Sequence, residues 1–228
     1  MFNTPQNFIA DTFYSPSLPM YAWKAALVEE FSIQQFRVHG VVKGRRVGFT
    51  TCMIEYAIWK SINESNHQTV IVAHNRASSN NIADRALAFA EICQKLTGIN
   101  LATTACNDKL LFFNNSSIKV IEPSINRGCS EHADLLYFDE AAFMSNFAQL
   151  WCALTPIAAQ CGGTTVIAST PNGMNEFYDR IQVLKTSNMC RVRNIPTSSC
   201  NAIDTHATQY RSCMSTGMDR AQCECEFI

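Results

Sequence analysis

The chain has 228 residues, of which 47% are hydrophobic and 16% are charged. This balance excludes an intrinsically disordered chain, and no apolar run approaches the ~20 residues that a membrane-spanning helix needs. The 18 lysines and arginines nearly balance the 19 acidic residues, so the composition gives no polycationic surface for permanent binding to nucleic acid. We therefore expect a soluble globular protein with one large domain and an appendage, whose contacts with DNA are local or transient.

Eleven cysteines are present, but their pattern is not that of a secreted disulfide scaffold. Their number is odd, no two of them form a Cys-x-x-Cys pair, and residues 1–13 lack the basic and apolar segments of a signal peptide. We therefore expect free thiols in a reducing cytosol, most of them buried as small apolar side chains.

The first part of the chain predicts an alternation of helices and strands after an irregular start. Three prolines in residues 1–19 predict an irregular lead-in, and apolar residues at helical spacing predict a helix over 20–33. Residues 36–42 alternate as a strand, and a loop with two glycines follows over 43–51. The apolar segment 52–62 then predicts a buried helix.

The pattern repeats along the rest of the chain. A short β-branched strand over 69–73 precedes an amphipathic helix, whose apolar face runs from Ile82 to Leu96 and which Gly98 ends. Residues 114–117 are asparagine and serine, which predict the turn of a hairpin. The remaining segments are strands over 110–113, 118–121, 135–138, 164–168 and 190–195 and helices over 145–159 and 174–187.

This alternation predicts an α/β fold with a mainly parallel sheet that helices cover on both faces. Ligand sites in such sheets lie at the carboxyl ends of the strands. Three predicted strands in this sequence end in glycines or polar side chains, so we expect the functional site there.

The first of these strand ends is the loop KGRRVGFTT over residues 43–51. A loop of this kind between a strand and a helix can place backbone N–H groups and a helix N-terminus around phosphates. The usual phosphate-binding pattern has glycine first and lysine after the second glycine, whereas here Lys43 is first and Phe49 takes the lysine position. Taken alone, the loop fits a structural strand-to-helix turn equally well.

The second strand end is an apolar segment that Asp139 and Glu140 follow directly. An aspartate at the end of a buried strand can hold Mg²⁺, and a neighbouring glutamate can orient or deprotonate an attacking water. Burial of two carboxylates without partners is costly, although acidic residues can also cap a following helix.

The third strand end is Ser-Thr-Pro-Asn-Gly over 169–173. Its short polar side chains can hydrogen-bond a terminal phosphate and shift when that phosphate leaves, or they can form a plain Pro-Asn-Gly turn. The order of the three motifs is therefore more informative than any one of them.

In this order, the motifs resemble those of the ATPase domain of the large terminase subunit, the DNA-packaging motor of tailed bacteriophages and herpesviruses. The resemblance covers nearly the whole chain. Family members carry an arginine-rich P-loop (Walker A), a strand ending Asp-Glu-Ala (Walker B) and a coupling motif, matched here by 43–51, 135–141 and 169–173. Arg127-Gly128 also resembles a feature of the family. Some terminases carry the phosphate-binding lysine at the start of the loop, which is the position of Lys43 in this sequence.

The resemblance implies a P-loop NTPase fold of the ASCE, RecA-like type in three parts. Residues 1–35 would form a lead-in and helix, residues 36–195 the ATPase core, and residues 196–228 a small C-terminal helical subdomain or linker. Large terminases normally continue into a nuclease domain, which we take to be missing from this chain. We therefore expect Mg²⁺-dependent ATP hydrolysis without DNA cleavage.

The resemblance also implies roles for individual residues. Lys43 would neutralise the β- and γ-phosphates, Thr50 and Asp139 would bind Mg²⁺, and Glu140 would act as the base. Further residues expected to bind phosphate are Gly44, Arg45, Arg46, Gly48, Phe49 and Thr51. The residues expected to couple hydrolysis to movement are Ser169, Thr170 and Asn172.

Two contacts stay open within the resemblance. Either Arg45 or Arg46 would serve as the arginine finger, unless a neighbouring subunit supplies it. The candidates for an adenine contact are Tyr21, Trp23, Gln34 and Gln35, of which Trp23 is more typical of core packing.

For the chain as a whole, the resemblance implies a hydrolase that uses ATP and Mg²⁺ to move viral double-stranded DNA into a procapsid in the host-cell cytoplasm. The implied partners are the DNA itself, bound transiently, the portal protein, the small terminase subunit and further copies of the chain in a ring on the portal. No membrane is implied.

Two other functions stay open. Asp-Glu-Ala-Ala and Ser-Thr-Pro also resemble motifs of DExx-type helicases, although the residues after Ile195 are too few for a second nucleotide-binding lobe. A structural subunit that binds nucleotide without catalysis is the second alternative. For the ATPase, we expect Glu140→Gln to keep ATP binding but lose turnover, and Lys43→Ala to lose an activity that Phe49→Ala largely keeps.

Overall fold

The computed structural model describes residues 4–14, 20–33, 35–98, 104–106, 109–124, 132–200 and 224–227. Its α-helices are α1 (Pro5–Phe13), α2 (Ala22–Ile33), α3 (Phe49–Asn63), α4 (Arg76–Thr97), α5 (Phe147–Gln160) and α6 (Glu176–Lys185). Its strands are β1 (Val38–Lys43), β2 (Gln68–Val72), β3 (Thr104–Cys106), β4 (Lys109–Leu111), β5 (Ser117–Ile121), β6 (Leu135–Asp139), β7 (Thr164–Ser169) and β8 (Cys190–Ile195). From β1 onward, strands and helices alternate much as the sequence predicts.

The described strands form one sheet in the order β3-β4-β5-β2-β6-β7-β1-β8. The strands from β5 to β8 in that order pair in parallel, while β4 and β3 extend the β5 edge in antiparallel pairs. The mainly parallel α/β sheet is therefore confirmed. Because β6, β7 and β1 are neighbouring parallel strands, their carboxyl ends lie side by side.

Helices cover both faces of the sheet. Successive residues of a strand point to opposite faces, and apolar side chains on each face pack against helices. On one face, Val41 and Tyr137 pack with residues of α1 to α4. On the other face, Val42 and Phe138 pack with residues of α5 and α6. Every residue of β6 and β7 is buried as a result, which explains why these strands read as continuous apolar runs rather than alternating ones.

The prediction of an irregular lead-in over 1–19 is wrong where α1 forms. Thr4 caps this helix, because its side chain accepts a hydrogen bond from the backbone N–H of Asn7 at 3.3 Å. Pro5 occupies the first turn, where a helix tolerates proline, and Phe8 is buried in the core. The short edge strand β3 is also absent from the sequence prediction, since three residues carry no readable periodicity.

Several smaller predictions are confirmed. Gly98 ends α4 with a left-handed φ of 66°, and Asn115 takes a φ of 64° in the turn between β4 and β5. Beyond Ile195, the structure describes a 3-10 turn over Thr197–Cys200 and residues 224–227, and the rest of the predicted C-terminal subdomain lies outside the described residues. Within the described ranges, no helix is long and apolar enough to cross a membrane.

Candidate active site

The loop over residues 44–48 connects β1 to the first turn of α3. Gly48 is the N-cap of α3 at φ 80° and ψ 22°, a left-handed conformation that favours glycine. Gly48 has no side chain, so it cannot cap the first backbone N–H groups of this helix. Gly44 is held from the end of β8, since its N–H donates to the carbonyl oxygen of Ile195 at 2.8 Å. An uncapped helix N-terminus behind a glycine loop can accept an anion such as phosphate.

Lys43 and Glu140 meet above the end of β7. The Lys43 ammonium forms an ion pair with the Glu140 carboxylate, and the two side chains are 5% and 24% exposed. Burial raises the pKa of Glu140, but Lys43 and hydrogen bonds from Ser169 and Thr170 outweigh it and hold the pKa below its ordinary value. Glu140 is therefore a carboxylate at neutral pH.

The segment after β7 also contacts Glu140. Thr170 donates to Glu140 Oε2 from its backbone N–H at 3.1 Å and from its hydroxyl at 3.3 Å, and Ser169 Oγ donates to the same oxygen at 3.2 Å. Asn172 does not reach Glu140, since its side-chain amide donates to the carbonyl oxygen of Ala142 at 3.3 Å. Two of the three predicted coupling residues therefore touch the predicted base, and the third touches the 3-10 turn over Ala141–Phe143 that follows it.

Asn175 connects that 3-10 turn to α6. Its side-chain amide donates to Ala142 O at 2.9 Å, while its Oδ1 accepts from the backbone N–H groups of Phe177 at 3.1 Å and Tyr178 at 3.3 Å. One side chain thus binds the turn after Glu140 and caps the N-terminus of α6. The backbone of Glu140 itself is left-handed, at φ 55° and ψ 48°, a strained conformation of the kind that clusters at functional sites.

Asp139 is buried beside the first turn of α3. The Thr50 hydroxyl donates to Asp139 Oδ1 at 2.8 Å, and the phenol of Tyr137 donates to the same oxygen. Burial raises the pKa of Asp139 above its ordinary value, while Lys43 and Tyr137 oppose the shift. Oxygen atoms of Thr50 and Asp139 lie close together, and Mg²⁺ prefers such hard oxygen ligands.

Other predicted residues lie differently. Arg45 and Arg46 are exposed, and Arg46 has a left-handed φ of 59°. The Phe49 side chain is 1% exposed, and its ring packs 6.2 Å from Trp23 and 6.0 Å from Tyr137, between centroids. Only the backbone N–H of Phe49 is thus left to face a phosphate.

Among the adenine candidates, Trp23 stacks between Phe49 and Tyr21 and so belongs to the packing, as the sequence interpretation favoured. Gln35 is exposed, whereas Gln34 and Arg127-Gly128 lie outside the described residues. No adenine contact is therefore assigned to any of them.

Sequence reasoning missed three supporting residues. Tyr137 had a usable signal, because a residue two positions before Asp139 on a strand shares its face. Arg85 of α4 donates to the Thr51 hydroxyl, and Lys24 of α2 lies next to Gly48 of the loop. Neither of these two has a local signal, since both contacts join distant segments of the chain.

Lys24 belongs to a buried ionic cluster beneath the loop. Its Nζ lies 3.7 Å from Glu55 Oε2 of α3, with side chains 4% and 2% exposed, and the Tyr14 hydroxyl donates to Glu55 Oε1 at 3.2 Å. A Cβ atom on Gly48 would lie 3.8 Å from Lys24 Nζ. Burial raises the pKa of Glu55, and Lys24 opposes the shift. The cluster ties α1 and α2 to the base of the loop.

Lys24→Met is expected to destabilise the fold by about 3–5 kcal/mol near neutral pH, because it removes the ion-pair partner of the buried Glu55 carboxylate. A carboxyl group with a raised folded-state pKa contributes stability at low pH and loses it as the pH rises through that pKa. The difference in unfolding free energy between wild type and variant should therefore shrink as the pH falls toward the ordinary pKa of glutamate. Urea denaturation across this pH range measures it.

The matched control adds Glu55→Gln to Lys24→Met. Since the cluster then has no carboxyl group that titrates, the pH-dependent part of the loss should disappear. A loss that is equally large at every pH in the Lys24→Met variant would contradict the assignment of the Glu55 charge.

The parallel sheet flanked by helices, with a glycine loop between β1 and α3, is a fold like that of the P-loop NTPases. A family model described as the N-terminal part of the terminase large subunit, T4likevirus-type, matches residues 41–182. The chain therefore belongs to the terminase large-subunit family.

Solved structures of large terminases share this fold. The ATPase domain from Thermus phage P74-26 superposes with a TM-score of 0.77 at 17% identity, covering 99% of each chain. The large terminase of a thermophilic bacteriophage in complex with ADP has a TM-score of 0.73 at 11% identity, covering 92% of this chain and 54% of that one. For the HK97 bacteriophage large terminase the values are 0.68, 15%, 96% and 50%. The chain thus spans the P74-26 ATPase domain and about half of the other two terminases.

Proposed function

We propose that this chain is a Mg²⁺-dependent ATPase that drives packaging of viral double-stranded DNA, and that ATP binds at the loop over residues 44–48. The observation that carries the proposal is the convergence of three strand ends, where Lys43 contacts Glu140 and Thr50 contacts Asp139. Membership of the terminase family supports it, as do solved large terminases in complex with ADP and with ATP-gamma-S.

The phosphates would bind in front of α3. Backbone N–H groups of the loop and of the first helical turn would donate to the phosphate oxygens, and Lys43 would neutralise their charge from the head of the loop. Lys43 thereby supplies the cation that the Phe49 position lacks, so the unusual loop does not require a loss of catalysis. A terminal phosphate would compete with Glu140 for the Lys43 ammonium, because both are anionic acceptors at the same place.

The residues at the end of β6 fit a bound magnesium ion. Among the described side chains, no group of three or more histidine, cysteine or acidic residues could hold a metal ion. Mg²⁺ is often held by one carboxylate together with phosphates and waters, which matches a single buried Asp139 beside the Thr50 hydroxyl. When bound, the ion would neutralise charge that develops on the phosphates.

Glu140 would orient and deprotonate the attacking water. Its depressed pKa keeps it ionised, and the donors on Ser169 and Thr170 fix the position of Oε2. Arg45 or Arg46 would stabilise the charge of the transition state, in the same subunit or across a ring, because both are exposed. Ser169, Thr170 and Asn172 would report the loss of the terminal phosphate to α6.

As a packaging motor, the chain would act in the host-cell cytoplasm as one subunit of a ring on the portal protein. It would receive DNA through the small terminase subunit and grip it transiently. The nearly balanced charge suits this role, since a motor has to release its track in every cycle.

Steady-state release of phosphate from ATP tests the proposed activity. We expect turnover that needs Mg²⁺, stops in EDTA and falls to background in Asp139→Asn, because that variant loses the anionic ligand. Asp84→Asn on the exposed face of α4 is the matched control and should keep wild-type turnover. Nucleotide binding without any turnover in the wild type would instead favour the structural subunit, and unwinding of a forked duplex would favour the helicase.

A further inference from the structure

A second polar cluster lies at the amino ends of β6 and β7, on the opposite side of the sheet from the carboxyl ends that form the candidate active site. Cys161 Sγ lies 3.0 Å from His132 Nδ1, and His132 Nε2 lies 3.0 Å from Asp134 Oδ1. The carboxylate is fixed in turn, because the backbone N–H of Gln68 donates to Asp134 Oδ2 at 2.8 Å. A thiol, an imidazole and a carboxylate thus form one hydrogen-bonded row.

This row borders a pocket of about 250 Å³, which Cys161, Asp134, Lys60 and His67 help to line. His67 is 4% exposed, and its Nδ1 lies 3.0 Å from Glu64 Oε2. Its Nε2 is buried and has no hydrogen-bond partner among the described residues. Glu64 adds a further charged side chain to the lining, so the pocket suits a polar ligand.

We propose that Cys161 is a reactive thiol that exchanges with a small disulfide entering this pocket. The thiolate is the reactive form of cysteine, and the row supplies the base that generates it. His132 Nδ1 takes the thiol proton, while Asp134 accepts from Nε2 and stabilises the imidazolium, as the carboxylate does in a catalytic triad.

The position of Cys161 favours an ion pair over a lone thiolate. Cys161 is the C-cap of α5, where the last helix carbonyls favour a cation and disfavour an anion. These carbonyls therefore stabilise the imidazolium of His132 and oppose an unpaired thiolate. The reactive species is the thiolate and imidazolium together.

The exchange balances without any further oxidant. The Cys161 thiolate attacks one sulfur of the incoming disulfide, a new S–S bond forms, and the original S–S bond breaks. Cys161 is oxidised to a mixed disulfide, and the other half of the reagent is reduced to a thiolate that takes the proton from His132. The retained half would lie among the polar side chains of the pocket, such as Lys60 and His67.

Labelling of the whole chain with the aromatic disulfide dithiobis(nitrobenzoate) at neutral pH tests the proposal. Peptide mass spectrometry follows each site over time, and Cys152, which is exposed on the same helix α5, is the internal reference. Only a few per cent of an ordinary thiol is ionised at neutral pH, so the ion pair should label Cys161 about tenfold faster than Cys152. Cys161 is less exposed than Cys152, so access alone would predict the reverse order.

Two variants separate proton transfer from packing. His132→Ala should lower the rate at Cys161 to that of Cys152, and so should His132→Gln, whose amide can hydrogen-bond but cannot take up the proton. The His132 side chain is 54% exposed, so neither change should unfold the chain, and an unaltered rate at Cys152 verifies this. A wild-type Cys161 no faster than Cys152, or an unchanged rate in both His132 variants, would overturn the proposal. Asp139 lies at the other end of β6, so the test does not depend on ATP hydrolysis.

Discussion

Glu140→Gln is expected to keep ATP binding while it slows hydrolysis by about 10²–10⁴-fold, the usual contribution of a general base. Glutamine has the same shape and can still accept the hydrogen bonds from Ser169 and Thr170. It cannot take a proton from water, so the chemical step should be affected more than nucleotide binding. Single-turnover hydrolysis and equilibrium binding of ATP, measured on the same preparation, separate the two.

The structure adds a second readout to this variant. Glu140→Gln leaves the buried Lys43 ammonium without its ion-pair partner, so the ligand-free chain should lose thermal stability. Bound ATP supplies a new anion at the same place and should restore more stability than it adds to the wild type. Glu91→Gln on the exposed face of α4 is the matched control. Wild-type hydrolysis by Glu140→Gln would remove Glu140 from the role of base.

Lys43→Met is expected to lower hydrolysis by at least about 10²-fold, the usual effect of removing one group that stabilises charge in the transition state. Methionine fills much of the volume of the lysine side chain, so the change removes the charge and leaves little cavity. We expect the affinity for ATP to fall as well, because Lys43 would contact the phosphates in both the ground state and the transition state. Phosphate release as a function of ATP concentration measures both effects.

The control for Lys43 has to be chosen from the structure. Phe49→Ala, the obvious comparison from the sequence, should cost about 3–5 kcal/mol of stability, because the ring is buried between Trp23 and Tyr137. Phe49→Leu keeps an apolar side chain there and should hydrolyse ATP nearly as the wild type does. Normal hydrolysis by Lys43→Met would mean that another cation, such as Arg45 or Arg46, grips the phosphates.

The fold could be predicted from the sequence wherever one periodicity extended over several residues. The buried runs of β6 and β7 and the apolar face of α4 gave correct elements, because packing and local pattern agree there. The helix α1 could not be predicted, since Pro5 reads as a breaker and only burial of Phe8 against the core shows otherwise. The order of the strands was also out of reach, because it is decided by contacts between distant segments.

The candidate site divides in the same way. That Lys43, Asp139 and Glu140 lie close together could be predicted from the sequence, because neighbouring parallel strands bring their carboxyl ends together. The contacts of Lys24 and of Arg85 could not be read, because each depends on how a helix packs. The roles assigned to these residues stay predictions until the variants are measured.

The double attachment of Asn175 has a mechanical consequence. Its side-chain NH₂ group donates to the turn after Glu140, while its side-chain Oδ1 caps α6. The turn and the helix therefore cannot shift independently without breaking a hydrogen bond. If a bound nucleotide breaks the ion pair between Lys43 and Glu140, we expect the turn after Glu140 to shift. The first turn of α6 should then move with it. The Asn175 side chain would then transmit a small displacement at the site of hydrolysis to α6, so that α6 moves as a lever.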